Sequence, residues 1–127
     1  MTEVLVDGDV RGEVVFLDAP LSFWGGYDPE RGLIIDATHP QRGDTLVGKV
    51  VVMPHGRGSS SSSAVLAEAL RLGTGPAAFV LGEPDPIIVT GALVARLLYR
   101  VACPVVVGEI ATPGVWRVSG SGVEPVL

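Results

Sequence analysis

The sequence predicts an α/β domain in which a β-rich N-terminal half leads into a parallel βαβαβ C-terminal half. Three observations predict it. The short runs Lys49–Met53, Ala77–Leu81 and Pro104–Val107 are almost wholly apolar, as strands covered on both faces are. Two stretches of helix formers, Ser60–Leu72 and Ile87–Tyr99, alternate with them, and such alternation builds a parallel sheet with crossover helices. Upstream of residue 49 the chain is a series of short β-type runs broken by Gly, Pro and Asp, the pattern of short strands and turns.

In order along the chain, Glu3–Val6 is a strand that Asp7-Gly8 ends. Gly12–Leu17 is a second strand, and Leu21–Trp24 is expected to pair with it across the Asp18-Ala19-Pro20 turn. Gly25–Gly32 is a loop. Leu33–Asp36 is a buried strand ending on an acid, and Ala37–Asp44 is a loop carrying His39. Strand Lys49–Met53 runs into Pro54–Ser63 and the helix Ser60–Leu72. Gly73 suits the left-handed position that stops a helix. Gly75-Pro76 turns the chain into Ala77–Leu81. Gly82–Pro86 is a rigid loop, with Pro86 placed to open the helix Ile87–Tyr99. After the strand Pro104–Val107, Val115–Val118 and Val123–Leu127 read as edge strands.

At 127 residues the chain has the size of one domain, 1–127, with a single core. Its 47% apolar and 18% charged content, without any run of membrane-spanning length, suggests that some apolar surface is covered by another chain. The net charge is −5, and Lys49 is the only lysine among nine cations. The absence of a basic run argues against a nucleic-acid partner. No signal peptide is visible, so no membrane association is expected and the expected compartment is cytoplasmic. Cys103 is the single cysteine. It makes no intrachain disulfide and has no companions at metal-ligand spacing, so no metal is expected on this chain.

The chemistry concentrates in Gly56-Arg57-Gly58 and the five serines Ser59–Ser63, between a buried strand and a helix start. The first turn of a helix offers free N–H groups and the positive end of its dipole. Glycines permit close backbone approach, Arg57 suits a carboxylate or phosphate, and a Ser hydroxyl there has its developing charge stabilised. Two plainer readings compete: a Ser-rich linker, which the strong flanking elements oppose, and serines that merely cap the helix. The stretch is not a Walker A loop, because no Lys follows the second glycine. It is not a G-x-S-x-G elbow either, and no Ser-His-Asp spacing with His39 or His55 supports a hydrolase.

The run Gly56–Ser63 resembles the signature of the swivel domain of the aconitase X family. So do Gly25-Gly26-x-Asp28, Gly32-x-Ile34-x-Asp36, His39-Pro40, Gly43, Gly48 and Pro54, and downstream Gly75-Pro76-Ala77-Ala78, Asp85-Pro86-Ile87-Ile88 and Gly91-Ala92. The resemblance implies a swivelling β/β/α fold. It implies the small subunit of a hydro-lyase that removes water from a small hydroxy acid, such as 5-phosphomevalonate or cis-3-hydroxyproline. The partner it implies is an aconitase X-type large catalytic subunit bearing an iron–sulfur cluster, with no cofactor bound by this chain. By the same resemblance Ser59 is the base, and Arg57, Gly58 and Ser60 hold the substrate anion, with His39 as a further substrate contact or proton relay.

Other residues carry two readings. His39 before Pro40 also suits a turn or interface. His55 shapes the turn, or carries phosphate as in swivelling phosphohistidine carriers, although the Gly-Gly-x-x-Ser-His order of such carriers is missing. Asp28 is read as a turn residue or a contact with the partner subunit, Asp85 as the cap of the second helix or a site residue, and Cys103 as core. Trp24 and Tyr27 line either an interface or the core. The alternative to an enzyme subunit is a non-catalytic module that binds an anion on the same turn.

Overall fold

The computed structural model describes residues 2–127. A seven-stranded mixed sheet has the order β1-β7-β6-β5-β2-β8-β9, formed by β1 (Glu3–Val6), β2 (Asp9–Phe16), β5 (Val50–Met53), β6 (Ala78–Leu81), β7 (Val105–Val107), β8 (Val115–Ser119) and β9 (Gly122–Pro125). The four central strands β2, β5, β6 and β7 are parallel, in register Val14–Val50–Ala78 and Leu81–Val107. β1 closes one edge antiparallel to β7, and the hairpin β8–β9 extends the other edge antiparallel to β2.

The central strands are valine-rich because both their faces are buried. One face carries Val51, Met53, Phe79, Leu81 and Val105 under the helices α2 (Ser61–Leu72) and α3 (Pro86–Tyr99). The other carries Val50, Ala78, Val80 and Val106 against Val14, Val118 and Ile110. The helices pack together where Gly91 lets α3 approach α2; a Cβ there would stand 2.9 Å from Leu66 Cδ2 and 3.0 Å from the Ser63 carbonyl oxygen. The sheet curls enough to bring its two edges together, so that a Cβ added at Gly122 of β9 would lie 3.6 Å from Thr2, next to β1. Among the described residues no helix is long and apolar enough to cross a membrane.

The predicted C-terminal βαβαβ unit is present, and β1 and β2 of the N-terminal half extend the same sheet. One expectation fails. Leu21–Trp24 is not a strand and does not pair with β2, whose two sides are occupied by β5 and β8. Instead the chain forms a short irregular turn, α1 (Phe23–Gly26), in which Trp24 (ψ 110°) and Gly25 (φ 76°) leave helical geometry. The apolar residues that suggested a strand serve as core plugs. Leu21 and Phe23 are buried, and the Phe23 ring lies 5.0 Å from Tyr27 and 5.8 Å edge-on from Phe79. The strand expected at Leu33–Asp36 is likewise shorter. β4 (Leu33–Ile34) pairs with β3 (Tyr27–Asp28) in a two-stranded ribbon beside the main sheet, and Leu33 also forms an isolated antiparallel bridge to Thr45.

Candidate functional site

The serine turn leaves the C-terminal end of β5, where a parallel sheet with crossover helices presents its loops for binding. Three contacts fix its position. The Pro54 carbonyl accepts from the N–H groups of Gly82 and Glu83, tying the loop after β5 to the loop after β6. The Gly56 N–H donates to Asp85 Oδ2 at 2.7 Å, and the Arg57 N–H donates to the Leu21 carbonyl at 3.3 Å. Gly58 (φ 100°) passes so close to Ser22 that a Cβ would stand 2.3 Å from Ser22 Oγ. Only glycine fits that conformation and that gap.

The five serines divide into two sets. Ser62 is buried; its Oγ accepts from the Trp24 N–H at 3.1 Å and lies 3.4 Å from Ser22 Oγ. Ser63 Oγ donates to the Ile87 carbonyl at 2.7 Å, joining α2 to α3. Ser59, Ser60 and Ser61 are exposed. Ser60, the residue before α2, already has helical angles (φ −59°, ψ −21°), and its side chain makes no capping bond. Capping therefore does not account for the run. The carbonyls of Ser59 and Ser60 accept from the N–H groups of Ser62 and Ser63. Among the described residues, the N–H groups of Gly58, Ser59, Ser60 and Ser61 make no hydrogen bond. The exposed turn thus presents three hydroxyls, four free N–H groups and the positive end of the α2 dipole, with Arg57 beside them.

Arg57 is exposed and close enough to Asp36 to act on it. The Asp36 carboxyl is held below its ordinary range, first by the Thr38 backbone N–H (2.9 Å), then by the Thr38 hydroxyl (2.8 Å), with Arg57 adding to both. His39 is engaged elsewhere. It is 5% exposed, its Nδ1 accepts from the Gln41 N–H at 3.0 Å, and Nε2 is left to donate to the Ala19 carbonyl at 2.9 Å. His55 turns its Nδ1 to the Gly56 carbonyl at 2.5 Å. Asp28 accepts from the N–H groups of Glu30 and Arg31 and pairs with the Arg31 guanidinium, so it builds its own turn. Asp85 caps α3 through Oδ1, as the sequence predicts, and its second bond, to Gly56, was not foreseen.

Neither of two sizeable cavities includes a residue of 55–63. One, of about 500 Å³, lies among Asp7, Asp9, Arg96 and Arg117, at the other end of the parallel strands. The other, of about 350 Å³, is lined by Phe16, Met53 and Ile110 and reaches only Pro54. The turn stands on open surface. Among the described residues no group of three or more His, Cys, Asp or Glu side chains is gathered. Cys103 is fully buried, and burial pushes its thiol up to about 12.

A curled mixed sheet with α2 and α3 on one face, bearing a Gly-Ser turn at its C-terminal strand ends, is the α/β architecture of a swivel domain. The chain belongs to the aconitase X swivel-domain family, whose model matches residues 1–121. It is 44% identical over 101 residues to the cis-3-hydroxy-L-proline dehydratase of Pseudomonas aeruginosa, covering 80% of this chain but only 17% of that protein. It is 40% identical over 93 residues to the phosphomevalonate dehydratase small subunit of Thermococcus gammatolerans, covering 73% of this chain and 71% of that one. The crystal structure of Thermococcus kodakaraensis aconitase X in its holo form superimposes with a TM-score of 0.85 at 34% identity, over 98% of this chain and 95% of that one.

Proposed function

We propose that this chain is the small subunit of an aconitase X-type hydro-lyase and that Ser59 is the base of a site shared with a large subunit. The observation that carries the reading is the division of the serines. Ser62 and Ser63 are spent on the fold, whereas Ser59–Ser61 stand exposed among free N–H groups next to Arg57. Dehydration of a hydroxy acid requires removal of a carbon-bound proton near a carboxylate. In this reading Ser59 Oγ takes that proton. It does so as the alkoxide, which the N–H groups of the turn and the α2 dipole stabilise. Ser59 becomes the neutral hydroxyl, the C–H electron pair forms the new double bond, and the substrate hydroxyl leaves on the side of the large subunit. Arg57, the Gly58 N–H and Ser60 hold the substrate carboxylate or phosphate. His39 is left out of this set, because both its ring nitrogens are engaged within the chain.

The large subunit supplies the iron–sulfur cluster, since the one thiol of this chain is buried in its core. The Thermococcus gammatolerans relative, covered to 71%, is named as a small subunit, which supports the subunit reading. The substrate class is a small hydroxy acid, and the two named in the relatives are phosphomevalonate and cis-3-hydroxy-L-proline. The test is Ser59→Ala in the complex assembled with the cognate large subunit, assayed for water loss from both substrates. Turnover should vanish while assembly persists, and activity near wild type would overturn the assignment of Ser59.

A further inference from the structure

Beside the serine turn stands a tryptophan that the fold does not bury, and we infer that Trp24 is the anchor by which this face seats against the subunit that completes the site. The inference rests on the proposed function, which requires such a subunit. Trp24 is 61% exposed, whereas side chains of that size are ordinarily well buried. Its backbone is nonetheless held tightly. The Trp24 N–H donates to Ser62 Oγ at 3.1 Å, and the Trp24 carbonyl accepts from Ser22 Oγ at 3.1 Å. Ser22 in turn abuts Gly58. One bracket therefore fixes an exposed indole to the element that carries Ser59.

The bracket determines what covers Trp24. Ser62 is three residues beyond Ser59, roughly one helical turn or about 5 Å, and Trp24 is bonded directly to it. A surface close enough to react with a substrate held at Ser59 must also reach Trp24. Ile35, 39% exposed, stands on the neighbouring loop, its N–H bonded to the Gly26 carbonyl at 2.9 Å. Polar groups lie on the same stretch: Asp36 follows Ile35 and feels Arg57, and Ser22 and Ser62 bond the Trp24 backbone. An aromatic centre within a polar rim is the composition of an interface anchor. The partner surface it fits is an apolar pocket with polar edges on the large subunit. Because the anchor and Ser59 share one rigid bracket, seating the indole also sets the depth of the serine.

The test is isothermal titration of the cognate large subunit into the wild-type chain and into the Trp24→Ala, Ser59→Ala and Leu97→Ala variants. Far-UV circular dichroism and the fluorescence of Trp116 confirm the fold. Leu97 is 77% exposed in the last turn of α3, at the opposite end of the helices from the serine turn, and controls for loss of exposed apolar surface in general. Trp24→Ala should weaken assembly by about thirtyfold or more, the range of buried tryptophan anchors, while Ser59→Ala and Leu97→Ala assemble like wild type. Turnover of Trp24→Ala should recover as the large subunit is raised to saturation. Equal affinity of wild type and Trp24→Ala overturns the inference and leaves the role of Ser59 standing. So does normal assembly with only a raised KM for substrate, which would place the indole on the substrate. Weakening by Leu97→Ala alone overturns it by moving the interface to the far end. No binding of the large subunit by the wild-type chain overturns the proposed function itself.

Discussion

One carboxylate joins the serine turn to the start of α3: Asp85 Oδ2 accepts from the Gly56 N–H at 2.7 Å, while Oδ1 accepts from Ile87 at 2.9 Å and Ile88 at 3.3 Å. Asp85 is 8% exposed, so water does not replace it readily. Asp85→Ala removes a helix cap and strands a buried N–H, together a loss of about 2–4 kcal/mol. Asp85→Asn is more selective, since whichever way the amide is turned its NH2 faces a donor at one of the two ends. Urea denaturation should show a smaller stability loss for Asn than for Ala. The assembled Asn variant should lose kcat more than its stability loss explains, because the turn carrying Ser59 shifts.

Gly58 allows no side chain. At φ 100° an L-residue is strained, and its Cβ would stand 2.3 Å from Ser22 Oγ, which is itself committed to the Trp24 carbonyl. Gly58→Ala should cost about 2–4 kcal/mol, combining backbone strain with overpacking. Chemical denaturation measures the cost. Activity in the assembled enzyme should fall further than that of any variant at exposed Ser61.

The alkaline limit of stability should report two buried acids. Burial pushes the Cys103 thiol from 9.0 up to about 12, and burial, then the neighbouring Asp28, raises the Tyr27 phenol. Each group is raised in the folded chain, so folding favours the protonated form. The stability they confer is complete below their unfolded values and is lost as pH rises. Between pH 9 and 12 the Cys103 contribution should decline by up to about 1.4 kcal/mol per unit, and Tyr27 steepens the decline above pH 10. Denaturation midpoints measured across that window should fall less steeply in Cys103→Ala. A thiol reagent at pH 8 should leave Cys103 unmodified until the chain unfolds.

The parts legible in the sequence are those written in local pattern. The valine runs of β5 and β7, the helix formers of α2 and α3, the Gly73 stop, and Pro86 with Asp85 at the start of α3 all lie where composition places them. The α/β architecture followed from the same stretches, and the family from the Gly56–Ser63 run with the motifs around it. What local pattern does not carry is which strand lies next to which. Nothing in Asp9–Phe16 announces that it runs parallel to β5 on one side and antiparallel to β8 on the other. Leu21-Ser22-Phe23-Trp24 alternates like a strand, yet no edge remained for it, and its apolar side chains fill the core.

The serine turn was legible as a junction of strand and helix, but its inner division was not. Ser62 is set apart from Ser59 by Trp24, and Ser63 by Ile87, each brought in from elsewhere in the chain. The partner of His39 Nε2 is non-local in the same way: the Ala19 carbonyl, twenty residues upstream.

The curl that brings Thr2 against Gly122 also bears on the order of folding. β5–α2–β6–α3–β7 joins neighbours in sequence, so its contacts close short loops. The seam between β1 and β9 closes a loop of nearly the whole chain, which forms slowly and late. The central unit should therefore assemble first and retain amide protons longest, while the seam exchanges first. The serine turn starts within the early unit and takes its final position when Leu21, Ser22 and Trp24 dock on it.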